Sequence, residues 1–393
     1  MGISIEKART FRSLPALFSA ALLAFAPQAR AQDGVEFGAD YLMDVMAVAA
    51  DDRPAKLYWL NNLDVTADLD LDMLAGWRGA TMHVDVLANM GRTPNDRAGT
   101  LQGVDNVEVA SHRLRLFEAW IEQKLGECTT LRTGLYDLNS EFYATDASGL
   151  LIGSAFGIGS EVAATGPNGP SVFPSTALTA RLDHEFDGGG FVRAAVLNAA
   201  AGTLGEPRGL DVHFDNGALL IAESGFEGHG GKIAVGAWGY TQRQDDVRLV
   251  DATGEPIQRH AHGAYLVAER PFNYPEGRRA AAGFLRIGVS DGRTTPFRGG
   301  WQAGVLVSNL WAGRDDSQFS IGLNQGVLAE NFRHVLRADG LRSAAAESAI
   351  EVTYSDRIGP VTLQPDFQIA LDAGGDADAE TVFIAGLRVS LSL

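Results

Sequence analysis

Leu63-Asp64-Val65-Thr66-Ala67-Asp68-Leu69-Asp70-Leu71-Asp72-Met73 alternates apolar and polar residues without a break. Successive side chains of a β-strand point to opposite faces. As a strand, this stretch has one hydrocarbon face and one face carrying Asp64, Asp68, Asp70 and Asp72. Upstream, Val35, Phe37, Ala39, Tyr41, Met43, Val45 and Ala47 repeat the pattern. Far downstream, Val361, Leu363, Phe367, Ile369 and Leu371 alternate with Thr362, Gln364, Asp366 and Gln368. A last segment runs from Thr381 through Phe383, Ala385, Leu387, Val389 and Leu391 to Leu393. No sustained helical stripe with a capping box competes with this period of two.

A soluble sandwich also alternates, with its apolar face inward. Three features favour a barrel in a membrane. The strands run ten residues or more, the length a tilted transmembrane strand needs. Their polar faces are dense with acids, as suits a watery lumen. The final strand is placed to close a cylinder, in which every backbone group finds a partner. The predicted fold is therefore all-β: one closed transmembrane antiparallel β-barrel of about 16 strands, with short periplasmic turns and longer external loops.

The N-terminus supplies the address. Lys7, Arg9 and Arg12 precede an apolar run from Leu14 to Ala26, and Ala29-Arg30-Ala31 offers small residues for cleavage. That run is too short to span a bilayer and contains Pro15 and Ser19, so residues 1–31 read as a signal peptide. Residues 32–393 are then one barrel domain in the outer membrane of a Gram-negative cell. Removing the leader takes four bases and one acid from a chain of net charge −17, leaving it more acidic still. An acidic balance argues against nucleic acid as a partner. The expected partners are small-molecule carbohydrates, outer-membrane lipid and lipopolysaccharide, the barrel-assembly machinery during biogenesis, and further copies of the chain. Cys128 is the only cysteine, so no intramolecular disulfide holds the fold.

Connections alternate in length. Leu74 to Gly79 reads as a short turn, whereas Gly91 to His112 and Glu141 to Ser175 are long enough for external loops or an infolded plug. Motifs for chemistry are weak. Gly288-Val289-Ser290-Asp291-Gly292 spells a nucleophile elbow, but Arg293-Thr294-Thr295-Pro296 cannot start the helix that an elbow requires. His260 and His262 lack a third ligand. No catalytic residue, metal site or cofactor is expected. Only Lys56 and Lys124 precede position 200 in the mature chain, which disfavours a phosphate channel's ladder of bases.

Several blocks together resemble the OprB-type carbohydrate-selective porins. They are Phe117-Glu118-Ala119-Trp120-Ile121-Glu122-Gln123, Arg132-Thr133-Gly134-Leu135-Tyr136-Asp137-Leu138-Asn139-Ser140-Glu141-Phe142, Asn168-Gly169-Pro170-Ser171-Val172-Phe173-Pro174, Leu363-Gln364-Pro365-Asp366-Phe367-Gln368 and Gly386-Leu387-Arg388. The resemblance implies passive diffusion of sugars such as glucose through a water-filled channel. A general or other-solute porin is the alternative, and a barrel enzyme a more distant one. Strand parity then picks lumenal candidates. With Phe117, Ala119 and Ile121 toward lipid, Glu118, Trp120 and Glu122 face inward. The same reasoning turns Arg132 inward, and Arg181 with Asp183. Glu118, Trp120, Arg132, Arg181 and Asp183 are the candidate substrate-binding residues at a constriction.

Overall fold

The computed structural model describes residues 34–50, 54–206, 208–273 and 280–392; the expected signal peptide and its cleavage point lie outside them. Among the described residues the alternating stretches form β1 (Val35–Ala49), β2 (Lys56–Asp70), β3 (Ala80–Gly91), β4 (Arg113–Lys124), β5 (Thr129–Tyr136), β6 (Ala177–Glu185), β7 (Gly190–Asn198), β8 (Ala218–Gly228) and β9 (Gly231–Tyr240). A small hairpin of β10 (Gln244–Val250) and β11 (Pro256–Arg259) interrupts the series. The wall resumes with β12 (His262–Asn273), β13 (Ala280–Ser290), β14 (Phe297–Ser308), β15 (Gln318–Leu328), β16 (Ala346–Ile358), β17 (Val361–Leu371) and β18 (Val382–Ser392). All but the hairpin form one closed antiparallel barrel of sixteen strands, with β1 bonded to both β2 and β18.

Parity works as the sequence demands. On β17, Phe367 is 43% exposed on the outer surface, while Gln364, Asp366 and Gln368 are buried inside. Phe186, Phe226 and Phe272 are exposed at the rim of short turns, where an aromatic girdle meets the membrane interface. That rim carries connections as short as residues 229–230 and 359–360; the opposite rim carries 92–112, 137–176, 199–217, 241–261 and 329–345. On this long-loop rim lies α4 (Glu330–Ala338), the last of four α-helices among the described residues.

Two local expectations need correction. β2 stops at Asp70, and Leu71–Ala75 is a helical turn, α1, not the end of a strand. The Asp70 carboxylate accepts the N–H groups of Asp72 and Met73 at 2.9 and 3.1 Å, an N-cap that competes with continued pairing. The connection thus spans residues 71–79 and closes on Gly76, whose φ of +69° suits the left-handed cap. The second correction is Phe117. The β3–β4 register slips between Asp85 and Val86, leaving Phe117 as the extra residue of a bulge. Its ring is buried against Phe173 at 6.1 Å and does not face lipid.

The apolar core sits inside the cylinder. Residues 137–176 fold inward and place Leu138, Phe142, Tyr143, Ile158 and Val162 against Tyr136, Leu197, Ile221, Trp238, Tyr265 and Val267 of the wall. Residues 92–112, which carry α2 (Asn95–Ala98), fold inward as well, so that Val104 and Ile152 pack with Met46, Val48, Tyr58 and Ile384. The two segments join where Asn106 N–H donates to Ile152 O at 2.9 Å and Ser154 Oγ to Asp105 O at 2.9 Å.

Candidate functional site

Many wall acids serve to hold the infolded segments. Glu351 on β16 accepts the N–H groups of Ile152 and Gly153 at 2.5 and 2.8 Å. Glu347, two pleat repeats away on the same face, accepts from Leu101, Gln102 and Gly374 at 2.9, 2.9 and 2.8 Å. Glu223 on β8 takes Tyr143 N–H at 3.0 Å, and Glu269 on β12 takes Ala147 N–H at 3.1 Å. From β13, the fully buried Arg286 donates to Tyr143 O, Gly157 O and Phe156 O at 3.1, 2.7 and 2.5 Å. Charge-assisted bonds of this kind are the strong ones. Irregular backbone at membrane depth is tolerated because these side chains satisfy it.

The elbow-like motif finds its explanation here. Gly288 and Gly300 are direct cross-strand partners, and the carboxylate of Glu161, on the helical turn α3 (Ser160–Ala163), lies against both. A Cβ at Gly300 would come within 2.8 Å of Glu161 Oε2. Ser290 ends its strand and donates to Phe297 O at 2.7 Å, with a turn and not a helix after it. His260, for its part, receives Arg243 Nε at 3.4 Å.

Glu118, Trp120, Arg132, Arg181 and Asp183 stand on the lumenal face of β4–β6, opposite the lipid-exposed Leu182. The structure brings the first four into one network. Trp120 stacks on His83 at 5.1 Å, and the Arg132 guanidinium lies 3.8 Å from its ring centre. Arg132 donates to Glu122 at 3.0 Å, and Arg181 donates to Glu122 at 2.8 Å and to Glu141 at 2.7 and 2.5 Å. Glu118 accepts Asp137 N–H at 2.7 Å. Asp183 sits beside them, paired with Arg193 at 3.1 Å. Burial pushes the Glu141 carboxyl up, but Arg132 and Arg181 reverse that and hold it below its ordinary value. Arg181 is 2% exposed with its donors committed, so it stiffens the wall.

Among the infolded segments, and against the wall at Leu42, Arg113 and Arg388, a cavity of 980 Å³ remains open, and none of the five candidates lines it. Arg113, Asp137, Asn139, Asn168, Asp105 and Arg388 are among the residues lining it. Sequence reasoning selected none of these. Arg388 sat in a recognisable block, whereas Arg113 shares the sequence parity of the lipid-facing Ala119 and turns inward only because the bulge at Phe117 shifts the alternation; the infolded loops then decide which inward residues face open space. The arrangement offers hydrogen-bond donors and acceptors to a solute without a nucleophile–base pair. It suits passage more than reaction.

Comparisons with known proteins agree. The family model described as carbohydrate-selective porin, OprB family, matches residues 56–393. A search of curated protein sequences finds no match. Among solved structures, the fold is similar to the high-pH structure of Pseudomonas putida OprB: 20% identity, TM-score 0.81, covering 92% of this chain and 94% of that one. It is also similar to Salmonella typhi OmpF in complex with daunomycin, at 11% identity and TM-score 0.52, covering 91% and 97%. A trimer form of in-vitro folded Vibrio cholerae OmpT matches at 11% identity and TM-score 0.51, covering 92% and 100%. With the whole barrel, its polar lumen and the family match in agreement, the chain belongs to the OprB family of carbohydrate-selective porins, channels of the outer membrane and not enzymes.

Proposed function

We propose that sugars such as glucose diffuse passively through the cavity beside the infolded segments. The observation that carries this reading is the cavity itself. At 980 Å³ it lies within the ~300–1,000 Å³ typical of small-molecule sites, and amides and charged groups line it. Such groups replace a sugar's water weakly enough to let it leave. On the short-turn side of the cavity, Glu118, Trp120, Arg132, Arg181 and Asp183 form the wall a sugar passes next. Arg132 can exchange part of its bond to Glu122 for a sugar hydroxyl, because guanidinium and carboxylate satisfy each other again when the sugar departs.

Single-channel recording with glucose titrated at fixed salt tests the proposal. Glucose should reduce the ion current through the wild-type channel, and Arg132→Ala should weaken that block while keeping the fold. An unblocked wild-type channel sinks the glucose reading and leaves a general porin. Self-association belongs to the same reading, since Vibrio cholerae OmpT, a barrel of similar fold, is described in a trimer form; mass measurement of the detergent-extracted native complex checks it.

A further inference from the structure

We infer that Arg113 and Arg115 form a carboxylate subsite, so that sugar acids bind in this channel more tightly than neutral sugars. The inference rests on the sugar-channel reading above and names the solute class of one part of that path.

The two guanidiniums stand on the inward face of β4, two residues apart. Both reach the same hydroxyl: Arg113 Nη1 donates to Ser175 Oγ at 3.1 Å and Arg115 Nη1 at 2.6 Å, with Pro174 O a further acceptor for Arg115 at 2.9 Å. All these acceptors are neutral. Other inward arginines are matched to acids, as Arg132 and Arg181 are to Glu122, Arg193 to Asp183 and Arg388 to Asp44, while Arg286 spends its donors on three backbone carbonyls of the infolded segment. Among the described residues, Arg113 and Arg115 have no such ion pair. Arg113 Nε and Arg115 Nε and Nη2 are buried with no hydrogen-bond partner, and Arg115 is only 5% exposed.

Two neighbouring cations, partly desolvated and without a counterion, are costly to the protein, and an arriving anion offsets that cost. A neutral hydroxyl can accept from a guanidinium but leaves the charge uncompensated. Arg113 and Ser175 line the open cavity, and Arg115 adds its field from behind. Asp105, Glu108, Asp137 and Glu206 line the same cavity, so a dianion meets twice the repulsion that a single carboxylate does. Asn139 and Asn168, also on its lining, remain for the hydroxyls of the same solute.

The test is planar-bilayer recording at fixed salt with glucose, gluconate and inorganic phosphate titrated separately as blockers. In the wild-type channel, half-block by gluconate should need about tenfold less solute than half-block by glucose, the worth of a charge-assisted hydrogen bond. Arg113→Gln should bring that ratio close to one, and Arg113→Lys should retain most of it. Ser175→Asp, which supplies the missing counterion with both arginines in place, should also abolish the preference. It covers the case in which Arg113→Gln fails to insert. Equal block by the two sugars in the wild type overturns the subsite, as does a preference that survives both Arg113→Gln and Ser175→Asp. Tighter block by phosphate than by gluconate overturns the carboxylate assignment. Block by gluconate without block by glucose keeps the subsite and sinks the neutral-sugar reading; block by glucose alone does the reverse.

Discussion

Arg388 and Asp44 face each other across the seam where β18 closes on β1, as direct partners in register joined by two parallel bonds of 2.9 and 2.8 Å. Both side chains are buried, and the same guanidinium reaches Asn106 of the infolded 92–112 segment at 2.7 Å.

Removing one partner of this pair leaves the other charge buried. Arg388→Ala should therefore cost about 3–5 kcal/mol. Replacing both by apolar residues, Asp44→Leu with Arg388→Met, should cost less than Arg388→Ala alone. Urea unfolding of the barrel refolded into liposomes measures both, and a double variant weaker than the single one would refute the pairing as drawn.

Lipid-facing positions should resist charge according to depth. Val65, 44% exposed and near the middle of β2, should lose about 2–4 kcal/mol as Val65→Arg, whereas Leu69, one residue from the strand's end at the short-turn rim, should lose only about 0–1 as Leu69→Arg. Asp68 points the other way and binds His83 Nδ1 at 2.7 Å. The same unfolding assay decides, and equal costs at Val65 and Leu69 would contradict the register.

Arg286 is the chief donor to the carbonyls of the infolded 137–176 segment. Arg286→Met keeps much of the volume but orphans Tyr143 O, Phe156 O and Gly157 O, at about 1–3 kcal/mol for each buried acceptor left without a partner. The segment should detach before the barrel does. Single-channel conductance should rise and become noisier, while the heat-modifiable band of the folded barrel persists on gels. Unchanged conductance would show that the segment is held without it.

Glu108 gives a pH signature. Burial is the main cause that lifts its carboxyl from 4.5 to about 7; the N–H of Asn95 opposes the rise and the neighbouring Asp96 adds to it. Because the folded value is raised, the contribution of the protonated form is fully present below the ordinary value and is lost as pH climbs through about 7. Docking of residues 92–112 should weaken over that interval. Hydrogen exchange at Asn95 N–H, followed from pH 4.5 to about 7 and corrected for intrinsic rate, should speed up in the wild type and stay flat in Glu108→Gln.

The wall was legible because strand parity is local: Asp366 and Phe367 disclose inside and outside by being neighbours. The bulge at Phe117 was missed although the sequence marks it: Arg113-Leu114-Arg115-Leu116 alternates in one phase, and after the apolar pair Leu116-Phe117 the alternation resumes from Glu118 in the other. Asp70 misled because an aspartate that alternates with leucines is equally a helix cap. Parity turns Glu118, Trp120, Arg132 and Arg181 to the lumen, but the network joining them also runs through Glu141 of the infolded segment, which parity does not reach. The open cavity could not be found that way. Its shape depends on bonds such as Glu351 to Ile152, between residues far apart in sequence and without any shared period.

A hollow tube of sixteen strands is easily flattened, because hydrogen bonds around its circumference resist stretching better than bending. The 137–176 segment is bonded to Glu223 on β8 and to Glu351 on β16, walls well separated in the strand order. It therefore acts as a tie-rod across the cross-section. Lateral pressure from the bilayer that would squeeze the cylinder into an ellipse is carried partly by this internal span, and the diameter open to solute is fixed by a member that runs through the lumen.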